Sequence, residues 1–399
     1  MTSSLESSFE KACQDGTIPG AVLMTSDRTG AFNYAHAFGV RSLATKQPME
    51  LDTTMFTASC TKLLTTIAAL QCVERGLITL DDDTAAQLPE LASQKILTSF
   101  DEAGEPVLVD RKNPITLRRL LTHSAGLIYE QMSPLLQRYR RSVFANAFDT
   151  PLVTSMATPL LYEPGTGWRY STSIDWAGKL VERLTEKTLE EYMSTNIWGK
   201  LEITDITFFP KSKAGMAERM AGMSVRDSKT GELKHEMESI ESMAGAKDCF
   251  GGHGSYASMP SFMKVLQSLL RDDEMLLKRE TTKMMFEPQL TEESREAMRV
   301  LWEDEASARF FVGAFPPQVR KDWGLGGLLV RDATEGWRRS NTLVWSGLPN
   351  LFWFIDREAG LCGLYGGQVK PPGDVPTGKM ITLFEKAMYE RLEAGKARI

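Results

Sequence analysis

Apolar residues recur at helical spacing from Leu63 to Gly76, placing Leu63, Ile67 and Leu70 on one face, and Gly76 is a natural C-terminal stop. A first helix is predicted from Ser4 to Gln14, broken by Gly16 and Pro19-Gly20. The alternation in 21–26 and 31–39 predicts a hairpin turning at Asp27-Arg28-Thr29-Gly30. The middle of the chain reads as mainly helical. Thr116 caps Leu117–Leu121, Thr188 and Glu191 form a capping box, and Ser261–Arg271 is amphipathic. Residues 210–252 have weak periodicity and read as surface loops.

The last hundred residues change period. Short apolar runs at 326–330, 337–345, 351–355 and 361–365 predict an antiparallel meander. A closing helix follows at 376–393, with Met380, Leu383, Phe384 and Ala387 on one stripe. Strands at both ends and helices between them imply an α/β (α+β) fold, with an antiparallel sheet flanked by helices and built from both chain ends. The expected division is 1–85 plus 300–399 as the sheet domain and 86–299 as an inserted, mainly helical domain, with the active site in the cleft between them.

Composition narrows the function classes. The 399 residues are 42% hydrophobic and 25% charged, with net charge −6 and pI near 5.5. There is no broad basic stripe, so nucleic-acid binding is not expected. No apolar run approaches the roughly 20 residues of a membrane span. The first ten residues lack a secretory signal pattern, and the five scattered cysteines read as free thiols, so a cytoplasmic location is expected. The four histidines (His36, His123, His235, His253) show no metal-ligand spacing, and no metal or cofactor is expected.

Candidate chemistry starts at Ser59-Cys60-Thr61-Lys62, just before the apolar helical run. A serine and a lysine three apart at a helix start share one side, so the amine reaches the hydroxyl. A buried amine at the positive end of a helix loses proton affinity and can act as a base. A helix cap followed by a solvated lysine is the plain alternative for this tetrapeptide. Two further segments add weight. Tyr170 sits near the end of the Gly/Pro-rich loop 162–172, from which a tyrosine can serve as acid or base if a nearby cation lowers its pKa, the plain alternative being a core aromatic with its hydroxyl at the surface. Trp345-Ser346-Gly347-Leu348 lies at a strand end, where Gly347 permits close backbone approach and the Leu348 amide is a candidate to pair with that of Ser59 as an oxyanion hole, an ordinary strand-end turn being the alternative.

These segments, in this order, resemble the serine β-lactamase/penicillin-binding superfamily, in which Ser-x-x-Lys, Tyr-x-Asn and Lys-Thr-Gly line one cleft. Leu120-Leu121-Thr122-His123-Ser124-Ala125-Gly126-Leu127, the stretch 250–255 and 323–326 are similar to the class C-like branch. Segments 18–24, 62–77 and 175–182 resemble the fungal lovastatin acyltransferases (transesterases) within it. The resemblance implies a β-lactamase/transpeptidase-like fold, with Ser59 as nucleophile, Lys62 as its activating base and Tyr170 as second base. It also implies oxyanion amides on Ser59 and Leu348, and a loop-shaping role for His123. The chain departs from the pattern twice. Trp345 replaces a lysine that attracts the β-lactam carboxylate, and Thr172 replaces an asparagine. Both changes point away from β-lactams and peptides, toward apolar esters or thioesters.

The function expected is a serine-dependent acyltransferase. It moves an acyl group from a thioester, with an acyl carrier protein as a candidate donor, to a hydroxyl of a secondary metabolite such as a polyketide. Trp345 and Trp353 would shelter the acyl-enzyme from water. A carboxylesterase with the same residues is the first alternative, and a non-catalytic ligand-binding sensor the second. The basic run Arg138-Tyr139-Arg140-Arg141 is a candidate carrier dock, or else a solvated helix face. Specificity is expected from loops around Tyr129, Pro164 and Phe315, and the twenty methionines suit either an adaptable pocket or core filling.

Overall fold

A computed structural model describes residues 4–143, 151–236, 246–303, 313–316 and 318–396. Helix α1 (Leu5–Gln14) starts at Ser4, whose hydroxyl accepts from the Ser7 amide, and it buries Leu5, Phe9 and Ala12. Strands β1 (Gly20–Asp27) and β2 (Asn33–Gly39) form the expected hairpin, in register from Gly20 opposite Gly39 to Ser26 opposite Asn33.

Helix α2 (Thr61–Glu74) ends as the sequence indicates, with Gly76 in the left-handed region at φ +70°. Its surroundings differ from the one-faced reading. Every residue from Thr61 to Cys72 is buried, so α2 runs through the core. The threonines between its leucines made the apolar stripe look narrower than the buried surface. Thr65 Oγ1 donates to the Gly251 carbonyl at 2.7 Å, while the buried Thr66 hydroxyl has no hydrogen-bond partner among the described residues.

Helices α3 (Leu117–Leu121), α4 (Ser173–Thr185) and α5 (Met259–Arg271) follow. Thr116 caps α3 as expected, accepting from Arg119 N. The Thr188/Glu191 capping box is present on the short helix Leu189–Met193. Helix α5 begins earlier than expected, because Ser258 is its cap and Pro260 occupies its first turn.

The middle of the chain also holds strands the sequence did not suggest. Ile96–Phe100 pairs with Pro106–Val109. Thr54–Phe56, Tyr256–Ser258 and Ile206–Thr207 make a small sheet. Within 210–252, Met223–Arg226 and Leu233–Glu236 pair as a hairpin joined by Val369–Lys370, where loops were expected. Elements of two to five residues carry too few alternations to register as a period. Residues 237–245 of that expectation lie outside the described residues.

After α6 (Glu292–Glu303) come β3 (Lys321–Trp323), β4 (Leu328–Val330), β5 (Thr342–Gly347), β6 (Leu351–Asp356) and β7 (Leu361–Gly366). They join the first hairpin in one antiparallel sheet of order β3-β4-β5-β6-β7-β1-β2. The meander is therefore real, with one more strand at Lys321–Trp323 than the sequence suggests. Residues 337–341 form a turn rather than the first half of a strand, because Arg338 is drawn into a buried pair with Glu385. All residues of β5, β6 and β7 are buried, so helices cover both faces of the sheet there.

The closing helix α7 (Val375–Lys396) buries Met380, Ile381, Phe384, Met388, Tyr389 and Leu392. Leu383, expected on the buried stripe, is 40% exposed, and Met388 and Leu392 take that place. Among the described residues no helix is long and apolar enough to cross a membrane.

Candidate active site

Ser59 lies in a single tight turn, Ala58–Cys60, that leads into α2. The turn is strained at its first residue, since Ala58 has φ +45°. It is also pressed from the side. A Cβ on Gly347, the last residue of β5, would meet Thr57 O at 2.6 Å, with Ala58 Cβ and Cys60 Sγ at 3.5 Å. Only glycine lets the strand end pack on the backbone that carries Ser59. Leu348 follows Gly347 at the mouth of this contact, and its side chain is 39% exposed.

One helical turn on, Lys62 is fully buried. Its Nζ lies 3.3 Å from Ser59 Oγ, 3.0 Å from Tyr129 Oη and 2.6 Å from the Gly252 carbonyl. The amine also lies 4.6 Å from the centre of the Tyr170 ring and 5.3 Å from that of Tyr129. Burial drives its pKa down to about 7, while the charge of Asp175, and secondarily Cys60, pulls the other way. The spacing read from the sequence thus brings the amine to the hydroxyl in a state poised near neutrality.

Tyr170 is brought to the same place by a framework of backbone hydrogen bonds. His123 sits at φ +59° and its carbonyl accepts from Arg169 N and Tyr162 Oη, while Ser124 O accepts from Gly165 N. The His123 ring stands 4.7 Å from that of Tyr170, with Nδ1 3.0 Å from Ser171 Oγ. Burial, with a secondary push from Lys62, holds the His123 imidazole well below its ordinary pKa, hence neutral. The segment around His123 therefore builds the loop that presents Tyr170.

Trp345 Nε1 donates to Tyr170 Oη at 3.2 Å, and the two rings are 5.1 Å apart. Burial raises the Tyr170 phenol far above its usual value, against hydrogen bonds from Ser59 and Trp345, so Tyr170 is protonated at neutral pH. Trp345 faces Trp353 directly across β5 and β6 and packs on Trp323 at 4.6 Å, giving the site an apolar aromatic wall. Thr172 is buried at the start of α4, and its hydroxyl has no hydrogen-bond partner among the described residues.

Three participants were not legible as such. Tyr129 had been singled out only for its loop. Its hydroxyl contacts Lys62, two residues beyond the Leu120–Leu127 segment, and no spacing rule signals that. Gly252 acts through its backbone carbonyl. Asp175, the first residue of the segment 175–182, is fully buried and accepts from Gly252 N at 2.9 Å, with His253 Nδ1 at 3.4 Å. A buried acid in an otherwise apolar helix turn was the available signal.

Other expected features fall elsewhere. Arg138 stacks over Phe100 at 4.0 Å and Arg140 pairs with Glu130 at 2.7 Å, so both cations have partners within the chain; the Arg141 side chain lies outside the described residues. Phe315 lines a cavity of about 1070 Å³ with Met298, Trp302, Val319 and Val375, and neither Ser59, Lys62 nor Tyr170 borders it. Among the described residues no cluster of His, Cys, Asp or Glu is arranged to hold a metal.

The model of the beta-lactamase family matches residues 5–377. The chain is 39% identical to monacolin J acid methylbutanoyltransferase of Aspergillus terreus over 98% of its length and 96% of that protein. It is 38% identical to lovastatin esterase of Penicillium rubens, covering 99% of this chain and 100% of that one. Among solved structures, unliganded simvastatin synthase of Aspergillus terreus superposes with a TM-score of 0.91 at 39% identity, over 97% of both chains. The fold is accordingly that of β-lactamases and transpeptidases.

Proposed function

The chain belongs to the beta-lactamase family, and from that premise we propose that it is a serine acyltransferase acting on a hydroxyl of an apolar secondary metabolite. The reading is carried by one observation: a buried Lys62 amine, pKa about 7, within 3.3 Å of Ser59 Oγ. The neutral amine takes the Ser59 proton as Oγ bonds to the carbonyl carbon of an acyl thioester. The Ser59 and Leu348 amides receive the oxyanion. Its collapse expels the thiolate, which leaves with the proton held by Lys62. The acceptor hydroxyl then attacks the acyl-Ser59 carbonyl, and its proton returns through Tyr170 and Lys62 to Ser59 Oγ. As a phenol, Tyr170 serves as second base only in relay, accepting one proton as it gives up its own.

Substrate class follows from the wall of the site. With Trp345 in place of a cation, the pocket offers indole and not charge to the acyl group, and Gly347 and Thr172 flank it. The name of monacolin J acid methylbutanoyltransferase supports an acceptor like monacolin J acid and a methylbutanoyl-like acyl group, in keeping with the polyketide acceptor proposed here. An acyl carrier protein fits as donor, though the pairing of Arg138 and Arg140 inside the chain weakens the case for docking at that cluster. The reading takes 1–85 with 300–399 as one domain and 86–299 as an inserted one, with the site in their cleft. In its support, Ser59, Lys62 and Trp345 come from the first and Tyr129, Tyr170 and Asp175 from the second. All five cysteines are free thiols, which supports a cytoplasmic location.

Hydrolysis is the second reading, favoured by the likeness to the Penicillium rubens esterase. A short acyl thioester with a panel of hydroxylated polyketides, followed by mass spectrometry with Ser59→Ala as control, separates the two. Ester exceeding free acid is expected. Free acid alone, still requiring Ser59, makes the protein an esterase, and turnover that persists in Ser59→Ala overturns both readings.

A further inference from the structure

We propose that Asp175 and His253 are positioning residues that set the charge state of Lys62 across Gly252. This rests on the reading of Lys62 as the base. The Gly252 carbonyl accepts from Lys62 Nζ at 2.6 Å, and the Gly252 amide donates to Asp175 Oδ1 at 2.9 Å. The two backbone groups of one residue, on either side of its Cα, thus stand between the amine and a carboxylate that has no exposure to solvent. His253 Nδ1 stands 3.4 Å from the same Oδ1, and its side chain is 19% exposed. The junction requires glycine, because a Cβ at position 252 would run into the Asp175 carboxylate.

The groups facing Lys62 are few. Ser59 and Cys60 come from its own helix start, and His123, Tyr129 and Tyr170 from the adjoining loops. His123 is held neutral and both tyrosines are held as phenols by burial. Among the described residues, the carboxylate acting on Lys62 is therefore Asp175, and it opposes the desolvation that strips the amine of its proton. Burial works to raise the Asp175 carboxyl, yet His253, then Lys62 and the Gly252 amide, hold it below its ordinary value, so it stays charged. Asp175 keeps the amine from losing proton affinity altogether. A base needs enough affinity to hold the serine proton and too little to be blocked at neutral pH. The partly exposed His253 draws on the same carboxylate and makes the balance sensitive to its surroundings.

The test is the pH dependence of Ser59 labelling by a fluorophosphonate, which needs no knowledge of the natural substrate. Asp175→Asn keeps the acceptor for the Gly252 amide and removes the charge. The midpoint of the acid limb should fall by about one pH unit, roughly a tenfold gain in fractional labelling well below the midpoint. His253→Gln leaves the carboxylate charge to Lys62 alone and should move the midpoint upward. Circular dichroism melts confirm that each variant is folded. If Asp175→Asn does not fold, the partial exposure of His253 makes His253→Gln the deciding variant. A folded Asp175→Asn with an unmoved or raised midpoint overturns the proposal, and an unmoved midpoint in His253→Gln removes His253 from it. Failure of Ser59 to label at any pH in the unaltered protein sinks the underlying reading of Lys62, a result distinct from an unshifted limb.

Discussion

Trp345 is where this site departs furthest from a lysine-bearing pocket, and its consequence is local. The indole N–H donates to the Tyr170 oxygen, which also takes a hydrogen bond from Ser59. Trp345→Phe keeps the ring and loses the donor. One neutral hydrogen bond is worth about 0.5–1.5 kcal/mol, so kcat/KM should fall roughly three- to tenfold with the thermal midpoint nearly unchanged. A loss below twofold would show that the indole acts as wall alone. In the proposed mechanism the acid side of the activity profile is set by Lys62. Its pKa is lowered to about 7 and its neutral form does the work, so kcat/KM should climb through pH about 7 and level above it. An acid limb centred below pH 6 would contradict that assignment.

The packing of a strand end on a helix start turns single residues into a site. Gly347 of β5 touches the backbone of Thr57 directly, which ties the Leu348 amide to the turn holding Ser59. Gly347→Ala puts a methyl group 2.6 Å from Thr57 O, a backbone atom with nowhere to go. The two segments must separate, with a stability loss of about 1–3 kcal/mol and a fall in kcat of about a hundredfold as the amides part. Urea denaturation and steady-state rates check both, and retention of full kcat would detach Leu348 from catalysis. Elements of this kind were legible in the sequence when they were long or capped. Helix α1, the first hairpin, α2 and the Thr188 capping box follow from residues within one stretch. So does the meeting of Ser59 and Lys62, one turn apart. Tyr129, the Gly252 carbonyl and the buried charge of Asp175 were not legible, because each acts across more than 60 residues of chain. Leu383 was misplaced because helix period alone does not fix which stripe meets the sheet.

At the scale of the whole molecule, the sheet is assembled from residues more than 300 apart in sequence, since β1 pairs with β7 from Val22–Gly366 to Asp27–Leu361. Closing that loop early in folding is entropically costly, so contacts that hold the closing helix on the sheet matter. The strongest polar one is Arg338 with Glu385 of α7, bidentate at 2.6 and 2.7 Å, with side chains 1% and 0% exposed. The guanidinium also donates to Ala314 O and lies over the rings of Trp337, Phe315 and Phe352. Burial pushes the Glu385 carboxyl upward and Arg338 opposes that, so neither charge is tolerable without the other. Removing one partner strands a buried charge, whereas removing both leaves a space that apolar groups can fill. Arg338→Met should therefore cost about 3–5 kcal/mol in urea unfolding, and adding Glu385→Leu should restore most of it. Additive losses in the double variant would mean that the two groups are not coupled, which contradicts this account of the pair. Ser59 lies on the turn packed against Gly347, away from α7, so acylation by the folded variants should proceed at the unaltered rate. A matching loss of acylation would place this ion pair, and with it the seating of α7, inside the machinery of the site.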